Sequence, residues 1–92
     1  MQIAQVIGTV VATRKHDKLV GFKIQIVQPL KADGKEKIGL PFVAVDAVGS
    51  GAGEIVLVTE GSGARKGVDD RDAPVDAVII GIVDQIDVDD RF

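Results

Sequence analysis

The chain has no cysteine, no tryptophan and no tyrosine, and a single histidine. Without cysteine there is no disulfide, no thiol nucleophile and no thiolate metal site. Such a chain fits a reducing compartment. The lone histidine, His16, sits between Lys15 and Asp17. With no second imidazole it would need carboxylates to complete a transition-metal site, so it reads as a surface residue. The only aromatics are Phe22, Phe42 and Phe92, too few for the stacking platform that single-stranded nucleic acid requires. The longest apolar run, Ala77 to Val83, is far too short for a bilayer span. No basic stretch followed by an apolar one opens the chain, so no signal peptide is expected. The reading is a soluble protein without a membrane partner.

What is present is small and rich in β-branched residues. Ninety-two residues make one domain spanning positions 1–92, with a modest core. Val and Ile dominate the apolar content, which favours strands. The formal net charge is −3, with a sequence pI near 4.9, and it argues against phosphate backbones as partners. Two basic clusters, Arg14-Lys15-His16-Lys18 and Lys31/Lys35/Lys37, read as solvated loop tips.

The pattern predicts five strands: Gln2–Arg14, Gly21–Leu30, Leu40–Asp46, Glu54–Glu60 and Ala77–Val88. Gly8 inside the first marks a bend or bulge. In the second, Phe22, Ile24, Ile26, Gln28 and Leu30 form the apolar face, and Pro29 places its far end at an edge. Ala32-Asp33-Gly34-Lys35 is a turn. Residues 61–76 form the one long irregular stretch, with Ser62 as N-cap of a helical stub. In the fifth strand Val78, Ile80 and Ile82 share one face. Ile79 and Val83 then face outward and need a loop or another subunit to cover them. Five short strands with glycine bends predict an all-β fold, a small closed OB-like barrel with at most one short helix.

The stretch Val43-Ala44-Val45-Asp46-Ala47-Val48-Gly49-Ser50-Gly51-Ala52-Gly53-Glu54-Ile55-Val56-Leu57, followed by Gly61-Ser62-Gly63-Ala64-Arg65, resembles the EutN/CcmL family of bacterial microcompartment shell proteins. That family shows V-A-x-D-x-V-G-A-G-x-x-E-x-V-L and then G-S-S-A-R. Ser50 and Ala52 stand inside the glycine turn here, and Gly63 replaces the second serine. The likeness extends to Gly8-Thr9-Val10-Val11-Ala12-Thr13 and to Pro74-Val75-Asp76 through Ile80-Gly81-Ile82-Val83-Asp84. It implies a structural protein, a cyclic homopentamer at the vertices of a carboxysome or metabolic microcompartment shell in the cytoplasm, among hexameric shell proteins. The rival reading is an OB-like module binding single-stranded nucleic acid or a protein ligand.

No residues assemble a catalytic, cofactor or metal site. Gly49-x-Gly51-x-Gly53 leads into a strand, whereas a dinucleotide fingerprint leads into a helix. These glycines read as a tight structural connection. Ser50, Ser62 and His16 form no triad, because no nucleophile elbow surrounds either serine. Asp69, Asp70, Asp72 and Asp76 lack the calcium-loop pattern and contain Arg71. Arg65 reads as a fold or interface residue pairing with a carboxylate, with Asp46, Glu54 and Glu60 as candidates. Gly49, Gly51, Gly53, Ser62, Arg65, Ile79 and Val83 are thus the structural and interface candidates.

Overall fold

Alternating inward Ala4 and Val6 start the first strand, β1 (Gln2–Val10). It pairs antiparallel with β2 (Lys23–Leu30) on one side and β4 (Ile55–Glu60) on the other. β2 continues to β3 (Phe42–Asp46), β3 lies parallel to β5 (Ala77–Ile82), and β5 closes on β4. The order β1-β2-β3-β5-β4 is a closed barrel. The computed structural model describes residues 1–68 and 75–92, and within helix α1 (Ser62–Gly67) it leaves the side chains of Ser62, Gly63 and Arg65 undescribed. The acidic run Asp69, Asp70 and Asp72 therefore lies outside the described residues.

Strand ends differ from the sequence expectation for definite reasons. β1 stops at Val10, not Arg14, because its partner begins only at Lys23 and the last pair is Val10 with Ile24. A short 3₁₀ helix at Asp17–Leu19 fills the connection, capped by His16, whose Nδ1 accepts from the Lys18 N–H at 3.1 Å. β3 starts at Phe42, just past Pro41, which has no N–H to give a ladder. β5 stops at Ile82, not Val88. The Val83 N–H makes a last bond to the Ile55 carbonyl at 2.8 Å, and β4 ends there. Gly8 does mark a bulge, with the register slipping between Val6 and Gly8.

Two of the predicted faces are inverted. In β2 the barrel interior receives Gln25 and Val27, while Ile24 and Ile26 lie on the outer wall. In β5 Ile79 points inward and is fully buried, so it is no outward-facing contact residue. Val78 and Ile80 take the outside. The causes differ. β5 is apolar on both faces, so hydrophobicity alone could not set its phase; in β2 the interior takes Gln25, held by Thr9 and the Ser50 carbonyl, and leaves the more apolar Ile24 and Ile26 face outside.

The interior packs Ala4, Val6, Val27, Ala44, Val56, Val58, Ala77 and Ile79, with Phe42 against them. A second cluster sits outside the barrel, over the β3–β5 seam, which has only two paired positions. There Val45, Ala64, Val75 and Val78 pack with Leu19, Phe22, Val68 and Ile80. Helix α1 is the lid of this cluster. Gly67 allows the approach: a Cβ there would lie 3.1 Å from Ile80 Cγ2 and 3.2 Å from Val78 Cγ1. The helix N-cap is Gly61, not Ser62, and no side chain caps it.

Candidate assembly interface

The turn between β3 and β4 is organised by one carboxylate. Asp46 Oδ1 accepts from the N–H groups of Val48 and Gly49 at 2.9 and 3.0 Å. Its Oδ2 accepts from the Ser50 N–H at 2.7 Å and the Ser50 hydroxyl at 2.9 Å. Asp46 and Ser50 are both buried. Glu54 Oε1 then accepts from the Gly51 N–H at 2.6 Å. The turn is tied to the barrel by Gln25, also buried. Its amide donates to the Ser50 carbonyl at 3.0 Å, and its Oε1 accepts from the Thr9 hydroxyl at 2.7 Å. Lys23 Nζ donates to the same carbonyl at 3.1 Å. Every donor and acceptor in this network has a partner, which is the condition for polar groups in a small core.

Gly49 and Gly53 hold φ of +79° and +86°, where a side chain is strained, and Gly51 does not. Gly49→Ala and Gly53→Ala are therefore each expected to cost about 1 kcal/mol, seen as a lower melting temperature. Gly51→Ala is expected to be close to neutral, since a Cβ there meets only Glu54 Oε1 at 3.4 Å. Equal losses at all three positions would contradict this.

None of these groups is placed for catalysis. The Ser50 hydroxyl is spent on Asp46, and His16 uses Nδ1 as a cap. Ser62 lies in the first turn of α1, with its side chain outside the described residues. The three carboxylates considered for Arg65 all have donors. Asp46 and Glu54 hold the turn, and Glu60 accepts from the Gln2 amide. The Arg65 side chain also lies outside the described residues. Among the described residues no group of three or more His, Asp or Glu is arranged to hold a metal, and no helix is long and apolar enough to cross a membrane. Phe22 and Phe42 pack, partly buried, against the two apolar clusters.

The outer wall is another matter. Ile7 at the bulge and Val43 on β3 are each about half exposed, beside the partly buried Ile24 and Ile26. Ile26 pairs with both Gly8 and Val43, so these side chains form one apolar stripe across β1, β2 and β3. A groove of about 200 Å³ borders it, lined by Leu19, Ile24, Val43, Val45, Val75, Asp76 and Ala77. Val83 is partly buried near the tail and the 33–35 turn. In that turn the Lys35 and Glu36 N–H groups donate to Asp33 Oδ1 and hold its carboxyl below the usual range. The sequence reading missed the stripe and the anchoring roles of Asp46 and Gln25. An aspartate three residues before a glycine in a turn was the available signal for the first.

Residues 1–84 match the family model described as ethanolamine utilisation protein EutN/carboxysome. The chain belongs to the EutN/CcmL family. It is 46% identical over 88 residues to the carboxysome shell vertex protein CcmL of Synechocystis, covering 96% of this chain and 87% of the relative. Among solved structures, an ethanolamine utilization protein EutN superposes with a TM-score of 0.91 at 38% identity, covering 96% of this chain and 91% of that one. The pentameric microcompartment shell protein GrpN of Rhodospirillum rubrum gives 0.85 at 41% identity, covering 96% and 99%. CcmL and GrpN are thus named for a structural place in a shell, not for a reaction. The closed barrel expected from the strand pattern is the one observed.

Proposed function

We propose that this chain is a vertex protein of a bacterial microcompartment shell, in which five copies close into a ring seated among hexameric shell proteins in the cytoplasm. Its task is geometric. A flat hexagonal sheet closes only if fivefold points are introduced, and a heterologous contact that returns on itself after five copies supplies one. The observation that carries the reading is the apolar stripe of Ile7, Ile24, Ile26 and Val43, left on the wall of a barrel whose interior is already filled. The relatives' names supply the rest: CcmL is called a shell vertex protein and GrpN a pentameric one. Within the ring the Gly49–Gly53 turn serves as a rigid rim, and α1 with Ser62 and Arg65 lies beside the subunit contact.

Mixing the purified chain with a hexameric shell protein tests this by electron microscopy. Closed polyhedra are expected with the chain present, and open sheets or tubes without it. Closure that is indifferent to the chain would overturn the reading. Arg65→Ala is expected to weaken ring formation by roughly 2 kcal/mol, as loss of an interface arginine does. Arg65→Lys should recover only part, because it keeps the charge and loses the planar fork. Native mass spectrometry across a dilution series reads both. An unchanged dissociation range for Arg65→Ala would remove it from the contact.

A further inference from the structure

The seam between β3 and β5 is closed at one end only. Val45 pairs with Val78 and Asp46 with Ile79, and no ladder pair joins residues 42–44 to residues 75–77. The groove beside Ile24 and Val43 runs along this open part. It shares Val43, Asp76 and Ala77 with a second depression of about 370 Å³ that reaches Phe42 and Glu60. The two make one trough from the outer wall to the end of the barrel where β3 starts and β4 stops. Its walls are largely apolar, and among the described residues lining it the only charges are Glu60 and Asp76. Glu60 accepts from the Gln2 amide. The exposed Asp76 has no ion pair among the described residues. Native proteins cover open strand edges, and this one suits an apolar segment that carries a cation.

The connection between β2 and β3 supplies such a segment. Lys31 there is held by Glu36 at 3.1 Å, but Lys35 and Lys37 make no ion pair among the described residues. Next to them Ile38 is 51% and Leu40 84% exposed. The segment is held in place in advance. The Ile38 N–H donates to the Pro29 carbonyl at 3.0 Å, and the Gln28 amide donates to the Gly39 carbonyl at 3.3 Å. Other exposed segments fit less well. The 11–20 connection already lines the groove of its own chain through Leu19. The tail beyond Ile82 carries Asp84, Asp87, Asp89 and Asp90, which Glu60 and Asp76 repel. We propose that residues 35–40 of one copy dock in the trough of the next. Leu40 then covers Val43 and Ala77 across the open seam, and Lys37 faces Asp76. Loop and trough are different surfaces, so each copy gives one and receives one, as a closed ring needs. This docking rests on the ring reading and names the surfaces that join neighbours.

Carbodiimide crosslinking of the assembled full chain tests this, because the reagent joins a lysine to a carboxylate only where the two touch. Isotopically heavy and light chains are mixed and reassembled, and the linked peptides are mapped. Heavy-to-light links from Lys37 to Asp76 are expected. A ring whose Lys37 links stay within one chain, reach only other carboxylates or do not form would overturn the docking while leaving the ring reading intact. A chain that makes no ring overturns both. Charge reversal supplies a second measurement. Lys37 and Asp76 are both exposed, so their variants are expected to keep the barrel, as circular dichroism reads. Lys37→Asp and Asp76→Lys should each weaken assembly about tenfold or more by native mass spectrometry across a dilution series, and the double variant should recover much of the loss. Losses that simply add would overturn the pairing.

Discussion

Asp46→Ala is expected to lower the stability of the barrel by about 3 kcal/mol, a large share of what a domain this size possesses. The substitution strands the N–H and hydroxyl of the buried Ser50 and the part-buried N–H groups of Val48 and Gly49. Each unsatisfied buried donor costs about 1–3 kcal/mol, partly recovered where water can enter. At roughly 4–8 °C per kcal/mol for a domain of this length, melting should fall by more than about 10 °C. Asp46→Asn keeps one acceptor and sets an NH₂ against one pair of donors, so it should fall between wild type and alanine. Thermal melting at one fixed protein concentration reads both, since assembly makes the midpoint depend on concentration. An Asp46→Ala protein that melts with wild type would show that the turn does not depend on this carboxylate.

Ile79→Ala is the second large effect, about 2–5 kcal/mol. Ile79 is fully buried among Val and Ala side chains, in an interior with few large residues to collapse into the space left. The contrast is Ile82→Ala, at 38% exposure, where about 1 kcal/mol or less is expected. The same position separates interior from interface. Ile79→Asp should abolish folding of the single chain, seen by circular dichroism. Were Ile79 a subunit contact, that variant would fold as a monomer and lose only assembly.

The architecture was legible because its signals were local. Short runs rich in β-branched residues placed all five strands, Gly8 announced the bulge, and Asp33-Gly34 announced the turn. What was not legible was which side of a strand faces in. Phe22, Ile24 and Ile26 look like a core face, yet the interior takes Gln25, whose amide is held by Thr9 and the Ser50 carbonyl. A buried glutamine is justified only by partners distant in sequence, and periodicity cannot see them. Ile79 and Val78 pose the same problem. Both sides of β5 are buried, one by the barrel and one by α1, so the strand reads as continuous apolar sequence. The tail shows the converse. Ile86 and Val88 look like a continuation of Ile82, but Asp84 interrupts them, β4 runs out of backbone partners at Ile55, and pairing ended where the partner did.

Native mass spectrometry of the purified chain at micromolar concentration tests the central claim most directly. The account predicts a closed species of five chains, each of 9.7 kDa, with fivefold symmetry in electron-microscopic class averages. A monomer or a dimer as the sole stable species would contradict it.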